Sequence, residues 1–134
     1  MKGSGKTPKV TIFYFEHLGR ADPLTQIFEH YKQPYEMKVF TQENWDEIKN
    51  EGDWDFTVLP IAHYVDASGK NHYLGQTGAI LRSYGIRFGY YNPLDWKESR
   101  LVDPIIDTWN SLVTSQFKTV QMCSSSALGV DSVN

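Results

Sequence analysis

The chain has 134 residues, of which 40% are hydrophobic and 22% are charged, as expected for one globular domain or one domain with part of a second. Its formal net charge of −3 at pH 7 disfavours nucleic acid and anionic membrane as partners, because both attract a basic surface. No apolar stretch approaches the roughly 18 residues that span a bilayer, and a single cysteine leaves no intrachain disulfide, so we expect a cytoplasmic protein.

The first part of the chain predicts a β-α-β unit. Residues 9–15 (KVTIFYF) are β-branched, aromatic and apolar on both faces, which is typical of a parallel strand covered by helices. Residues 21–33 predict a helix that opens at Asp22-Pro23, since proline lacks the N–H that a first helical turn leaves unpaired. A proline ends this helix, and residues 35–39 alternate as a second strand. A right-handed crossover makes the two strands parallel.

The following residues predict two more strands and two helices. Residues 42–50 predict a short polar helix or turn around Trp45. Residues 58–65 and 71–74 flank a Gly-containing loop, DASGK, and predict a hairpin. A further helix opens at Gln76. The order β-α-β-α-β-β-α predicts an α/β fold of the thioredoxin-like kind, a four-stranded mixed sheet with helices on both faces.

Beyond this domain the chain predicts one long amphipathic helix. The predicted segments are the thioredoxin-like domain, a linker, the helix and a loose tail, at residues 9–90, 91–95, 96–118 and 119–134. Pro104 either kinks the helix or lies at its start with Asp103 as the N-cap. The architecture is therefore a thioredoxin-like domain followed by a truncated, all-helical segment.

Three short motifs have an ordinary explanation when each is taken alone. GSGKT at residues 3–7 lacks the earlier glycine and the strand that a phosphate-binding loop needs, so residues 1–8 are expected to be a disordered tail. Tyr14 alone would be a core tyrosine, although it ends a strand at the edge where α/β sheets bind ligands. Thr77, next to Gln76, would either cap its own helix or help to bind an anion there. The four histidines lack metal-ligand spacing, and we predict no metal site.

Taken together, these pieces resemble the amino-terminal domain of the cytosolic glutathione transferases. Four motifs carry the resemblance, in the family's order and at its intervals: YFEHLGRADPL, NWDEIK, LPI before the hairpin, and QTGAILRSYG. The resemblance covers residues 9–90 and continues more weakly into the following helix. It is nearest to the sigma class, which includes the glutathione-dependent prostaglandin D synthases.

The resemblance implies a glutathione site assembled from these separate motifs. Tyr14 matches the family's catalytic tyrosine, and Arg20 belongs to the Gly-Arg pair that follows it. The residues matched to glutathione contacts, from the glycine end to the γ-glutamyl end, are Trp45, Lys49, Leu59, Pro60 with a cis bond before it, Gln76 and Thr77. Asp107 resembles the helix aspartate that reaches glutathione in the neighbouring subunit, so a homodimer is the expected assembly.

The chemistry of these residue types fits glutathione, which has a carboxylate at each end. The helix start at Thr77 suits one carboxylate, and Lys49 with the Trp45 indole suits the other. The backbone of Leu59 can pair with the extended peptide like an added strand. The Tyr14 phenol has a reference pKa near ~10 and stays protonated, so it can donate to sulfur and favour the thiolate over a thiol of pKa ~8.5. We therefore expect a glutathione transferase that acts on a small electrophile, in detoxification or in prostaglandin isomerisation.

Three features depart from the family's pattern. Leu18 replaces an arginine beside the Gly-Arg pair, and Val58 replaces a glutamine before the residue-proline pair; both changes predict weaker glutathione binding. Only the first helix of the family's second domain is recognisable. The apolar face of that helix predicts dimerisation, partner binding or instability, and consists of Leu101, Val102, Ile105, Ile106, Trp109 and Leu112.

Two other functions stay open at this point. The chain could be a non-catalytic module of the same fold that binds glutathione or a partner protein without conjugating anything. It could also be an unrelated thioredoxin-fold redox protein, although the absence of a Cys-x-x-Cys motif argues against that function.

Overall fold

The computed structural model describes residues 8–17 and 19–127, with the backbone alone for residues 125–127. Within them the elements are β1 (Val10–Phe15), α1 (Asp22–Tyr31), β2 (Tyr35–Phe40), α2 (Gln42–Ile48), β3 (Ile61–Val65), β4 (Asn71–Gly75), α3 (Thr77–Phe88) and α4 (Trp96–Ala127). The predicted element order is confirmed. Leu18, the GSGKT motif and nearly all of the predicted amino-terminal tail lie outside the described residues, as does the end of the chain after residue 127.

The four strands form one mixed sheet in the order β2-β1-β3-β4. β1 runs parallel to β2, while β3 is antiparallel to both of its neighbours. In the β1–β2 register Tyr14 lies opposite Val39 and Phe15 opposite Phe40, so the two strands end at the same edge of the sheet. The predicted parallel pair is thus confirmed, and it fixes where the candidate site lies.

The hydrophobic core lies between this sheet and the helices α1 and α3. Ile12 of β1, Phe28 of α1, Ile61 of β3 and Ile80 of α3 are all fully buried. The central position of β1 explains why its sequence is apolar on both faces. Phe28 also meets the ring of Tyr84 edge-on, with the two ring centroids 4.6 Å apart.

The helix α4 decides between the two alternatives for Pro104 and corrects the predicted end of the helix. It begins at Trp96, where the side chain of Asp95 accepts a hydrogen bond from the backbone N–H of Lys97 at 2.9 Å. Pro104 therefore lies inside the helix and does not start it. The helix continues to Ala127, past the predicted end at residue 118, because no glycine or proline interrupts the sequence between residues 105 and 128.

Asp103, predicted as a possible N-cap, instead joins α4 to α3. Its carboxylate accepts a hydrogen bond from Nε of Arg82 at 2.6 Å and from the Tyr91 hydroxyl at 3.0 Å. Nη2 of Arg82 also donates to Asp107 at 2.9 Å. A Cβ at Gly78 would lie 3.1 Å from side-chain atoms of α4, so this glycine allows the two helices to approach closely. We call these contacts the α3–α4 seam.

None of the helices in the described part of the chain combines the length and apolar character that crossing a membrane requires.

Candidate functional site

A cleft of about 650 Å³ opens at the sheet edge where β1 and β2 end. Five of the predicted site residues line it, namely Tyr14, Arg20, Trp45, Lys49 and Leu59. Pro60 lies next to Leu59 and is fully buried, and the peptide bond between the two is cis, as predicted. Val58, the predicted departure from the family, also lines the cleft and is 48% exposed. The structure therefore brings together residues that are as far as 45 positions apart in sequence.

Tyr14 lies at the floor of the cleft, with only 3% of its surface exposed. Its hydroxyl oxygen accepts a hydrogen bond from the backbone N–H of Arg20 at 2.9 Å. Burial raises the pKa of the Tyr14 phenol above its ordinary value, although the Arg20 N–H and the Arg20 charge partly oppose this effect. The phenol is therefore protonated at neutral pH and is suited to donate a hydrogen bond into the cleft.

Arg20 holds the loop between β1 and α1 in place from three directions. Its backbone N–H donates to Tyr14, and its carbonyl oxygen accepts a hydrogen bond from the Thr77 hydroxyl at 3.0 Å. Nη2 of its guanidinium donates to the Thr114 hydroxyl of α4, also at 3.0 Å. One residue thus connects the end of β1 with the start of α3 and with α4.

The Trp45 indole does not offer its donor to the cleft as predicted. Only 2% of Trp45 is exposed, and its Nε1–H already donates to the backbone oxygen of Thr57 at 3.2 Å. The ring also lies against Trp54, with centroids 5.4 Å apart. The sequence could not show this, because a motif gives the residue type but not the carbonyl that its donor meets. Trp45 serves here to fix α2 against the loop before β3.

Lys49 lines the cleft, but its charge is paired with Asp46, three residues earlier. Its Nζ lies 2.7 Å from Oδ1 of Asp46, and both side chains are about one-third to one-half exposed. Such an exposed pair contributes little to stability, roughly 0–1 kcal/mol. The amine can therefore exchange Asp46 for the carboxylate of a ligand at small cost.

Gln76, Thr77 and Asp107 are not among the described residues that line the cleft. Gln76 has a φ of 70°, an unusual left-handed conformation for a side chain of its kind, and such strain occurs preferentially at functional sites. Thr77 is buried, and its hydroxyl donates to the Arg20 carbonyl, so the predicted contact of this helix start with a carboxylate stays a prediction about its other donors. Asp107 lies on the α3–α4 seam, bound to Arg82 of its own chain.

Two aromatic residues in the cleft were not predicted. The His17 ring stacks on the Tyr14 ring at 5.2 Å and meets the Phe117 ring of α4 edge-on at 5.5 Å. Phe117 also lies under the guanidinium of Arg20, 5.8 Å from the ring centroid. His17 could have been found from its place three residues after Tyr14. Phe117 could not, because nothing in the sequence indicates how far α4 reaches across the cleft.

Comparison with solved structures identifies the fold. A Nu-class glutathione transferase from Haemonchus contortus is 30% identical and matches 80% of this chain with a TM-score of 0.63. A sigma-class glutathione transferase from Fasciola hepatica (24% identity, 75% of this chain) and prostaglandin synthase D of Nilaparvata lugens (25% identity, 83% of this chain) also match with TM-scores of 0.63. The chain has the glutathione transferase fold. The resemblance to sigma-like glutathione transferases is confirmed, although no family model matches the sequence.

The chain spans about half the length of these glutathione transferases, since the matches cover 48%, 47% and 52% of the three solved chains. In the part of the chain that the structure describes, no group of three or more His, Cys, Asp and Glu side chains is placed to hold a metal ion.

Proposed function

We propose that this chain binds glutathione in the cleft and uses the Tyr14 hydroxyl to stabilise the thiolate. The observation that carries this proposal is the geometry of Tyr14, whose oxygen accepts from the Arg20 N–H and whose raised pKa keeps the proton on the phenol. A neutral phenol that donates to sulfur stabilises thiolate over thiol, and Tyr14 acts as a hydrogen-bond donor and not as a base. The bound thiol loses its proton to solvent, and the thiolate then attacks an electrophilic carbon, forming a C–S bond while the leaving group departs with its electron pair.

The proposed pose of glutathione follows the distribution of charge and backbone around the cleft. The glycine carboxylate lies at Lys49, which exchanges its contact with Asp46 for the ligand. The cysteinyl unit pairs with the backbone of Leu59, beside the cis bond to Pro60. The γ-glutamyl end extends from the cleft toward the start of α3, where Gln76 has its strained backbone.

The first test compares two buried tyrosines. Tyr14→Phe removes the proposed donor, and Tyr84→Phe removes the hydroxyl of a tyrosine that is equally buried, at 3% exposure, but lies in the core. We expect Tyr14→Phe to lower kcat/KM for a model aryl halide by about 10- to 100-fold and to raise the pKa of the thiol of bound glutathione. Tyr84→Phe should leave both values unchanged. Activity is measured as a function of pH, and glutathione binding by calorimetry.

The possible results separate the alternatives. Unchanged turnover in Tyr14→Phe would show that the assignment of Tyr14 is wrong. Glutathione binding without any conjugation by the unmodified chain would favour the non-catalytic module. No glutathione binding at all would contradict the proposal as a whole.

The finer assignments are part of the same proposal. The sigma class, a small electrophile or a prostaglandin as second substrate, a role in detoxification and a cytoplasmic location all follow from the resemblance. A homodimer is proposed because α4 leaves Leu101, Ile105 and Leu112 each more than half exposed. In that dimer Asp107, whose side chain is 70% exposed although bound to Arg82, would reach glutathione in the second subunit. Sedimentation velocity tests the assembly, with a monomer at all concentrations as the contradicting result.

A further inference from the structure

The guanidinium of Arg20 is held by α4, a helix far from Arg20 in sequence. Nη2 donates to Oγ1 of Thr114 at 3.0 Å, across 94 residues of sequence. The guanidinium also lies over the ring of Phe117, three residues further along the same helix, at 5.8 Å from the centroid. Residues three apart share one face of a helix, so Thr114 and Phe117 together form a seat for the charged group.

The Thr114 hydroxyl is oriented to accept. It donates its own proton to the backbone oxygen of Asn110 at 2.9 Å, one turn earlier in α4. With the proton committed there, the lone pairs of the oxygen face Arg20. The contact therefore has a defined direction, from the guanidinium to the threonine oxygen.

The position of the Arg20 charge matters for Tyr14. Arg20 and Tyr14 line the same cleft, and the loop between them is fixed by the hydrogen bond from the Arg20 N–H to the phenol oxygen. The Arg20 charge lowers the pKa of Tyr14 while Asp22 and, above all, burial raise it, so the guanidinium is close enough to be felt at the hydroxyl. The positive charge of Arg20 therefore also stabilises an anion that forms beside the Tyr14 hydroxyl. Arg20 is the only arginine or lysine in the segment from Tyr14 to Asp22.

We propose that Thr114 is a positioning residue, which holds the Arg20 guanidinium at the Tyr14 end of the cleft and so makes α4 part of the machinery that activates a thiol. This inference rests on the proposed function for its consequence in catalysis. The hydrogen bond from Arg20 to Thr114 is present in the free protein, so its effect is testable without any ligand.

The experiment uses three substitutions at two threonines of α4. Thr114→Val removes the acceptor and keeps the shape, and Thr114→Ser restores a hydroxyl. Thr119→Val is the matched control, because Thr119 makes the same bond to the carbonyl four residues earlier, at Ser115, and is exposed to solvent. Thermal unfolding followed by circular dichroism shows that each variant folds, and Thr114→Ala replaces the valine variant if that one does not.

Two titrations provide the readout. In the free protein, the pKa of Tyr14 is measured by NMR with ¹³C-labelled tyrosine, and its signal is assigned with Tyr14→Phe. With glutathione bound, the thiol pKa is measured from the ultraviolet absorbance of the thiolate. We expect Thr114→Val to raise both values by about half a unit to one unit, which lowers the thiolate fraction at neutral pH by roughly three- to tenfold. Thr114→Ser and Thr119→Val should match the unmodified chain.

The outcomes distinguish this inference from the proposed function. An unchanged Tyr14 pKa in a folded Thr114→Val variant would contradict the inference that Thr114 positions the Arg20 guanidinium. A raised Tyr14 pKa with an unchanged thiol pKa would overturn the role in activation. If the unmodified chain binds no glutathione, the proposed function fails, and the Tyr14 titration alone still decides whether Thr114 positions Arg20.

Discussion

The sheet with its first three helices and the long helix α4 are held by different kinds of interaction. In the first region, strands and helices bury a continuous apolar core, with Leu24, Phe28 and Ile61 at 0% exposure. In α4, by contrast, no described side chain is buried, and Ile105 and Leu112 are exposed to 69% and 59%. Burial of apolar surface therefore stabilises the first region, while α4 is attached by a few specific contacts.

The contacts of α4 fall into two groups with different consequences. The α3–α4 seam joins the first half of the helix to Arg82 and Tyr91. Near its other end, Thr114 and Phe117 contact Arg20 and the cleft. The region with the less buried side chains thus supplies part of the candidate site. From this comparison we expect changes in the core to affect global unfolding, and changes at the seam to affect α4 alone.

The largest expected effect comes from a matched pair of leucines. Leu24→Ala leaves a cavity in the core and should lower the free energy of unfolding by about 2–5 kcal/mol. Leu112→Ala, on the exposed side of α4, should change the free energy of unfolding of the monomer by less than about 0.5 kcal/mol, measured at concentrations too low for the proposed dimer to form. Urea unfolding followed by tryptophan fluorescence and circular dichroism measures both. A similar loss in the two variants at these concentrations would contradict the separation of the core from α4.

An intermediate effect is expected from Arg82→Met, which removes both ion pairs of the seam. The pairs are partly exposed, so backbone amides of α4 should exchange with solvent about fivefold faster, while those of β1 and β3 keep their protection. Hydrogen exchange read by mass spectrometry or NMR measures this difference. Arg87→Met, at an exposed position later in α3, is the matched control. Equal acceleration in the strands would contradict the separation of the two regions.

Low pH should loosen α4 before it destabilises the sheet. The hydrogen bond from Arg82 is the main cause that lowers the pKa of Asp103 below its ordinary value. A carboxylate with a lowered pKa contributes stability above the pKa of the unfolded chain, and loses it as the pH falls through the folded value. We therefore expect α4 to lose protection below about pH 4, before the β3–β4 hairpin does, since the pKa of Asp66 there is lowered far more. Hydrogen exchange at a series of pH values tests the order, and simultaneous loss in both regions would contradict it.

Much of the fold could be predicted because local sequence and tertiary structure agree in the sheet region. An apolar run such as residues 9–15 forms a central strand, and Asp22-Pro23 starts a helix, as their physical chemistry dictates. The end of α4 could not be predicted from the Ser-rich composition, since serine neither stops a helix nor strongly supports one.

The candidate site was predictable in its residues but less so in its contacts. The family resemblance assigned Tyr14, Lys49 and Leu59 to one site, and the structure places all three in one cleft at the edge where the parallel strands β1 and β2 end. The directions of the Trp45 and Thr77 donors depend on carbonyl groups that approach only after folding. A resemblance identifies which side chains are present, and it leaves open which of their hydrogen bonds the protein itself already uses.

The smallest expected effect concerns two tyrosines, one in the core and one at the α3–α4 seam. The Tyr84 hydroxyl lies in the core with no hydrogen-bond partner among the described residues, and its burial raises its pKa to about 12. The Tyr91 hydroxyl is bound to Asp103 at the seam. Tyr84→Phe should therefore stabilise the chain by about 0.5 kcal/mol, since an unpaired hydroxyl is costly to bury, whereas Tyr91→Phe should weaken the attachment of α4. Because burial disfavours the ionised phenol, the fold loses stability as the pH rises from 10 toward 12, so Tyr84→Phe should also reduce alkaline unfolding. Urea unfolding at pH 7 and pH 11 measures both effects. A destabilised Tyr84→Phe variant would mean that the Tyr84 hydroxyl has a hydrogen-bond partner. The core would then be held in part by polar contacts, as α4 is, and the contrast between the two regions would be weaker.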